Sequence, residues 1–386
     1  LLSILLFFLA FTGYAWFLTT LLNVVYGRPY HRVFLKLTRL VVGIAILSGI
    51  PLFGWAFTWN AQTAIETIPQ YPLAGGILLT FASLGMVYFV INLVRSFSHP
   101  VSAVVSEKTT PHNIAAELGF RPVGDGKHRW VASWRINQIF TVDFTELTLA
   151  LPQIPPAWDN LTILHLSDLH FYGTPSRDYY CKIVEHIQTW GIPDLVVISG
   201  DVIDDDAYLV WIEELLSPLQ WKFAGFAILG NHDWWKDSEG VREQLRKLKF
   251  QVLGNTWSSC EIAGHRLIAI GHEGPWFRPP PELSQLPEGF RLLISHTPDN
   301  IAFAKRHQIS LMLSGHNHGG QIRLPFIGSI FVPSIYARRF DMGTFQEGPT
   351  LLHVNRGLSG KEPIRFRCNP QVTWIRLKTK VSDSPV

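Results

Sequence analysis

The sequence predicts an α/β domain preceded by an all-α membrane region, and three observations carry that expectation. Long uncharged stretches dominate the first hundred residues of the 386-residue chain. Short apolar runs separated by helical-length segments fill residues 161–314. Five polar clusters, Asp168-Leu169-His170, Gly200-Asp201, Gly230-Asn231-His232-Asp233, Ser295-His296 and Gly315-His316-Asn317-His318, each follow one of those runs. Alternating strands and helices imply a sheet covered on both faces.

The membrane region is read first. No charged residue occurs in 1–26, 40–65 or 67–94. A bilayer core needs about 20 apolar residues per helix, so spans are expected near 3–25, 40–59 and 73–94. Three apolar runs in series also exclude a simple cleaved leader. Pro51 falls in the second span, where a membrane helix tolerates it. Gly75 and Gly76 would permit close helix contact. Arg28, Arg32, Lys36 and Arg39 lie between the first two spans, the loop 60–72 has no Lys or Arg, and Arg95 follows the third. Basic loops stay in the cytoplasm. The expected location is therefore the inner membrane, with everything after residue 95 cytoplasmic.

Residues 1–97 thus read as a transmembrane region of about three helices, 98–139 as a linker and lead-in broken by prolines, and 140–386 as the folded domain. One or two strands are expected within 130–151, around Thr141-Val142-Asp143-Phe144. Buried strands are expected at 161–166, 195–199, 226–229, 267–271, 292–295 and 311–314. Helices are expected at 178–190, from helical spacing of apolar residues, and at 238–248, from a charged amphipathic pattern.

Composition narrows the function. A content of 47% hydrophobic and 16% charged residues is too apolar for an ordinary soluble protein. A net charge of +3 with no long Lys/Arg run gives no indication of a nucleic-acid partner. Cys181, Cys260 and Cys368 are scattered, which argues against a disulfide framework and a thiolate metal site.

The clusters point to metal chemistry. Residues at the carboxyl ends of strands are where open α/β sheets gather ligands. The Asp-x-His spacing of Asp168 and His170, and that of His316 and His318, puts alternate side chains on one face. Gly200, Gly230 and Gly315 each precede a polar residue, where the backbone can turn sharply or approach closely. Imidazole and carboxylate without thiolate suit Zn, Mn, Fe or Co. Asp201 is the natural bridge between two such ions, which together activate water and polarise a phosphoryl oxygen. His165, His265, His272 and His353 read instead as ordinary, partly buried histidines.

This ordered set resembles the calcineurin-like metallophosphoesterase superfamily, whose motifs are D-x-H, G-D, G-N-H-[DE], H and G-H-x-H, over residues 140–378. His318-Gly319-Gly320-Gln321-Ile322-Arg323-Leu324-Pro325 and the tail Val354-Asn355-Arg356-Gly357 with Pro363-Ile364-Arg365-Phe366 are similar to the branch of membrane-associated bacterial phosphodiesterases. That branch includes enzymes acting on the UDP-diacylglucosamine intermediate of lipid A synthesis. The resemblance implies a two-sheet sandwich flanked by helices. It implies two divalent ions, one held by Asp168, His170, Asp201 and His318, the other by Asp201, Asn231, His296 and His316. It implies that His232 is no ligand but stabilises the phosphoryl oxygens and protonates the leaving group. Asn317 stands where Thr is common in this branch, at a position that holds no metal.

The expected reaction is in-line attack of activated water on phosphorus, hydrolysing a phosphodiester or pyrophosphate bond of a lipid-linked or UDP-acylsugar substrate. A general cytoplasmic phosphodiesterase or phosphatase and a non-catalytic, membrane-anchored binding module are the alternatives. Residues 274–279 and 325–332 are unusually apolar for loops near a polar site. Each reads as a buttress or as a groove for acyl chains. Trp276, Phe277, Arg338 and Arg339 are the expected substrate contacts.

Overall fold

A computed structural model describes residues 2–58, 72–96, 101–325 and 327–379. The chain divides into two compact units: Leu1–His99 with Leu324–Ala337, and Pro100–Arg323 with Arg338–Val386.

Among the described residues of the first unit, where three spans are expected, there are three helices: α1 (Leu2–Tyr26), α2 (Arg32–Thr58) and α3 (Pro72–Ser96). By length and composition, α1 and α2 can each cross a membrane, and α3 contains a shorter apolar window, Gly75–Tyr88. Of the loop expected at 60–72, residues 60–71 lie outside the described residues. Leu37, Leu40, Val41, Ile44 and Leu47 of α2 are all more than half exposed, an outward face suited to an apolar solvent. Close approach of α1 and α3 occurs at Gly13 and Gly85 and not at Gly76. A Cβ at Gly13 would lie 1.9 Å from the Phe81 carbonyl oxygen, whereas one at Gly76 would meet nothing within 4 Å.

The apolar segment Leu324–Ala337 belongs to this unit. The Val332 amide donates to Asn23 Oδ1 at 3.0 Å, and the Tyr88 hydroxyl donates to the Ile327 carbonyl at 3.2 Å. Phe331 packs edge-on against Tyr26, with ring centroids 5.0 Å apart. Asn23 is buried in α1, where an unpaired amide would be costly. The segment is therefore packed against α1 and α3 as a buttress.

In the second unit two sheets stack face to face. The first contains β1 (Val104–Asn113), β2 (Thr141–Leu151), β3 (Thr162–Leu166), β4 (Leu195–Ser199), β5 (Ala224–Ile228) and β6 (Gln251–Val252). The second contains β7 (Trp257–Ile262), β8 (His265–His272), β9 (Phe290–Ser295), β10 (Leu311–Ser314), β11 (Gly343–Glu347) and β12 (Thr350–Val354). The last strand, β13 (Gln371–Thr379), returns to the first sheet, giving orders β1-β2-β13-β3-β4-β5-β6 and β11-β12-β10-β9-β8-β7. The strands from β3 to β6 and the set β8, β9, β10 and β12 run parallel. Helices α4 (Arg177–Thr189) and α5 (Ser238–Lys247) supply two of the expected crossovers. Residues 101–139 contribute β1, whose nine paired residues extend the sheet edge beside β2.

Alternation explains the uninterrupted apolar runs. On β4, Val196 and Ile198 face the helix-covered core, while Leu195 and Val197 face Leu267, Leu292, Ile294, Leu311 and Leu313 of the other sheet. Both faces of β4 are dry, and polar side chains gather where it stops. That is where the site lies.

Candidate metal centre

Each predicted cluster sits at a strand end. Asp168 and His170 follow β3, Asp201 follows β4, and Asn231 and His232 follow β5. From the second sheet, His296 follows β9, and His316 and His318 follow β10. Asp168, His170, Asp201 and His318 each offer one ligand atom within 4.8 Å of the others, and so do Asp201, His296 and His316. Asp201 alone belongs to both of these groups. Asn231 joins the second, with Oδ1 3.1 Å from His296 Nε2. All seven expected ligands are brought together.

Hydrogen bonds orient them. His296 Nδ1 donates to the Ser199 carbonyl at 2.8 Å, and His170 Nδ1 donates to Asp204 Oδ2 at 2.9 Å. Each imidazole therefore turns its Nε2 lone pair inward, the arrangement a metal ligand needs. The backbone bends to allow this. Asp168, His170, Asp201, His316 and His318 all have φ between 49° and 68°, a region rare for residues with side chains and concentrated at functional sites. Gly230 permits a close approach, since a Cβ there would lie 2.2 Å from Asp201 Oδ1.

The donor set fits two cations. His296 Nε2 lies 3.2 Å from Asp201 Oδ2, and His170 Nε2 lies 3.7 Å from the same oxygen. With both Nδ1 atoms donating elsewhere, these contacts oppose lone pairs. His170 Nε2 and Asp201 Oδ2 are buried without a hydrogen-bond partner. Against the effect of burial, Asp204 pushes His170, and Asp201 pushes His296, up to about 9. That is the response of imidazoles crowded by carboxylate charge. Cations among these atoms would satisfy them all.

His232 stands apart from the ligands, with Nε2 4.0 Å from Asp201 Oδ2. Its amide donates to Asp201 Oδ1 at 2.8 Å, and its Nδ1 is bonded to Asp204. Asp204, which sequence reasoning missed, thus carries both His170 and His232. Burial opposes its ionisation, yet these two imidazoles hold it far below the ordinary carboxylate range. Its only sequence signal is its place three residues after Asp201, in a run with Asp205 and Asp206. Asp233 is a backbone clamp: its carboxylate accepts from the amides of Val202, Ile203 and Gly230 at 2.9–3.0 Å. Arg365, fully buried, donates to the carbonyls of His318 and Arg356 at 2.8 Å each and to that of Ser359 at 2.5 Å.

The expected substrate contacts divide. Trp276 is buried against the ligands, its ring 4.9 Å from His316 and 5.7 Å from His296. Phe277 is instead packed under the Arg242 guanidinium, 5.2 Å from its ring centroid. Arg339 is engaged by Glu347 at 2.6 Å and lies over Phe340, and Arg338 shares its helical turn, Ala337–Phe340. Phe277 and Arg339 thus have these partners outside the ligand cluster.

Residues 161–320 match the family model described as calcineurin-like phosphoesterase. The uncharacterized metallophosphoesterase YkuE of Bacillus subtilis (strain 168) is 33% identical over 254 residues, covering 62% of this chain and 86% of that protein. Phosphodiesterase YaeI of Escherichia coli (strain K12) is 31% identical over 227 residues, covering 56% and 81%. The UDP-2,3-diacylglucosamine pyrophosphatase LpxG of Chlamydia muridarum is 24% identical over 297 residues, covering 60% and 88%.

Proposed function

The chain belongs to the calcineurin-like metallophosphoesterase family and is a metal-dependent phosphoester or pyrophosphate hydrolase; from that premise we propose that it is anchored in a membrane and cleaves a phosphodiester or pyrophosphate bond of a lipid-linked substrate. The observation that carries the hydrolytic reading is Asp201 shared between two ligand groups, with His232 beside them. Helices α1 and α2, the segment Leu324–Ala337 docked on α1 and α3, and the name of the relative LpxG support the lipid reading. Arg28 between α1 and α2, with Arg32, Lys36 and Arg39 at the start of α2, supports a cytoplasmic hydrolase unit on the inner membrane.

When bound at the ligands Asp168, His170, Asp201, Asn231, His296, His316 and His318, two divalent ions supply Lewis acidity and lower the pKa of water. The rest falls to the chain. Asp204 holds His232 through Nδ1, which leaves Nε2 to face the ligand cluster. From there Nε2 hydrogen-bonds the phosphoryl oxygens and donates a proton to the departing oxygen. Trp276 walls the second ligand group and keeps water from that side.

The decisive assay gives purified protein, with Mn or Zn, a simple aryl phosphodiester and an acylated UDP-sugar. Turnover of both is expected, with the acylated substrate preferred. His232→Ala should retain metals and lose most turnover, on the order of 10²–10⁴-fold for a general acid, whereas Asp201→Ala should lose both ions. Full activity in either variant would overturn the assignment. Preference for the soluble ester would favour a general phosphodiesterase.

A further inference from the structure

Residues 120–138 of the hydrolase unit carry four large apolar side chains that the fold leaves in solvent. Phe120 is 51% exposed, Trp130 61%, Trp134 43% and Ile136 70%. They stand on a fixed base. Val131 and Ala132 between the tryptophans are buried, and Asn137 Nδ2 donates to the Val131 and Pro363 carbonyls at 2.9 and 2.7 Å. The indoles of Trp130 and Trp134 meet edge to face, with centroids 5.2 Å apart.

Charge is interleaved with this apolar face. Between residues 121 and 136 there are four cations, Arg121, Lys127, Arg129 and Arg135, against one acid, Asp125. Lys127 pairs with Asp205, and Arg121 donates to the Ala132 and Trp134 carbonyls. Arg129 and Arg135 are exposed and have no ion pair among the described residues.

The face lies on the rim of the metal centre. Its N-terminal part is tied to the loop after His170, by the Gly126 amide to the Gly173 carbonyl at 3.3 Å and the Ser176 amide to the Pro122 carbonyl at 2.9 Å. Its C-terminal part is tied beneath His318, by the Gln138 amide to the Arg365 carbonyl at 2.9 Å and Arg365 Nη1 to the His318 carbonyl at 2.8 Å.

We propose that Phe120, Trp130, Trp134 and Ile136, with Arg129 and Arg135, form an interfacial docking surface for an anionic phospholipid bilayer. Indole rings and arginine stems prefer the depth of the headgroups, and free guanidinium groups complement anionic lipid. A protein partner would instead favour an aromatic centre depleted of charge, whereas here each tryptophan adjoins an arginine. This deepens the proposed function and rests on its lipid-substrate reading for the catalytic consequence: a phosphate at headgroup depth would be presented beside the ligands.

The test uses the full chain in nanodiscs of phosphatidylcholine, with and without phosphatidylglycerol. Cys181 and Cys260 are replaced by serine, and a nitroxide is placed by Ile136→Cys or, as control, by Glu243→Cys on exposed α5. With phosphatidylglycerol, the label at 136 should become severalfold more accessible to oxygen than to an aqueous nickel chelate, and Arg129→Glu with Arg135→Glu should reverse this. A label at 136 as water-accessible as that at 243 would overturn the proposal. So would immersion indifferent to both lipid charge and the arginine reversals. Shielding from both reagents with spin–spin broadening between chains would also overturn it, in favour of a second copy. Trp130→Ala with Trp134→Ala should keep turnover of the soluble aryl ester and raise KM severalfold for the acylated UDP-sugar in anionic nanodiscs. If the unaltered chain ignores the acylated substrate, the lipid-substrate reading fails, while the nitroxide depth still decides the docking.

Discussion

Asp204 and His232 are joined through a carboxylate that also carries His170. One side chain thereby fixes the tautomer of a proposed metal ligand and of the proposed proton donor. Asp204→Asn keeps the shape but offers only one acceptor oxygen. Turnover should fall about 10–100-fold, the usual cost of losing such a supporting group, mainly in kcat. Metal content by elemental analysis, beside steady-state kinetics, checks this; unchanged kcat with both metals bound would refute it.

Arg365 supports the other side of the centre. It is buried, carries no carboxylate partner among the described residues, and spends its donors on the carbonyls of His318, Arg356 and Ser359. Arg365→Met would leave three carbonyls short of a donor, at about 1–3 kcal/mol for each group left dry. We expect a lower melting temperature and weaker retention of metal during dialysis. Arg365→Lys should recover only part of either, because an ammonium lacks the planar fork.

Asn23 makes the contact that fastens the apolar segment within the helical unit. Asn23→Ala would leave the buried Val332 amide without an acceptor, at a cost of about 1–3 kcal/mol, whereas Asn23→Asp retains one. Faster cleavage within 324–337 by a protease in mild detergent is expected for the alanine variant only. Equal cleavage of all three proteins would show that Asn23 does not hold the segment.

Acid should weaken the fold through two histidines, His353 and His165. Burial, then Arg356, brings His353 down to about 4, and burial, then His353, holds His165 well below its ordinary value. An unfolded chain takes up these protons near 6.5. The neutral folded forms therefore stabilise fully above pH 6.5, and that stability is lost as pH falls toward 4, by up to about 1.4 kcal/mol per unit for each group. In chelator-treated protein, His353→Gln should lose less stability than the unaltered chain as pH falls from 7 to 4.5. Identical pH dependence of the two melting temperatures would contradict the role of His353.

Much of this was legible in the residues because dry strands force polarity to their ends. The strands at 195–199 and 311–314 appear with the expected bounds, and α4 and α5 fall within a residue of theirs. The cluster of seven expected ligands was legible because each belongs to a short ordered motif. Asp204 was not: Asp205 beside it has a side chain 33% exposed against 6% for Asp204, a difference created by packing alone. Nor was β13, which inserts between β2 and β3 from more than two hundred residues away. Gly13 and Gly85 were hidden for the same reason, since only the helix crossing selects them over Gly76.

The left-handed backbone at Asp168, His170, Asp201, His316 and His318 makes the metal centre a patch of local frustration: each residue's own torsional preference opposes the conformation its role demands. Alanine at such a position removes the ligand but keeps the torsional penalty, whereas glycine removes both. Glycine variants should therefore outlast their alanine counterparts against heat by about 1–2 kcal/mol per site, though both are inactive. A hydrolase of this kind sits below the stability its scaffold can reach, and abolishing its chemistry with glycine is a route to a sturdier protein.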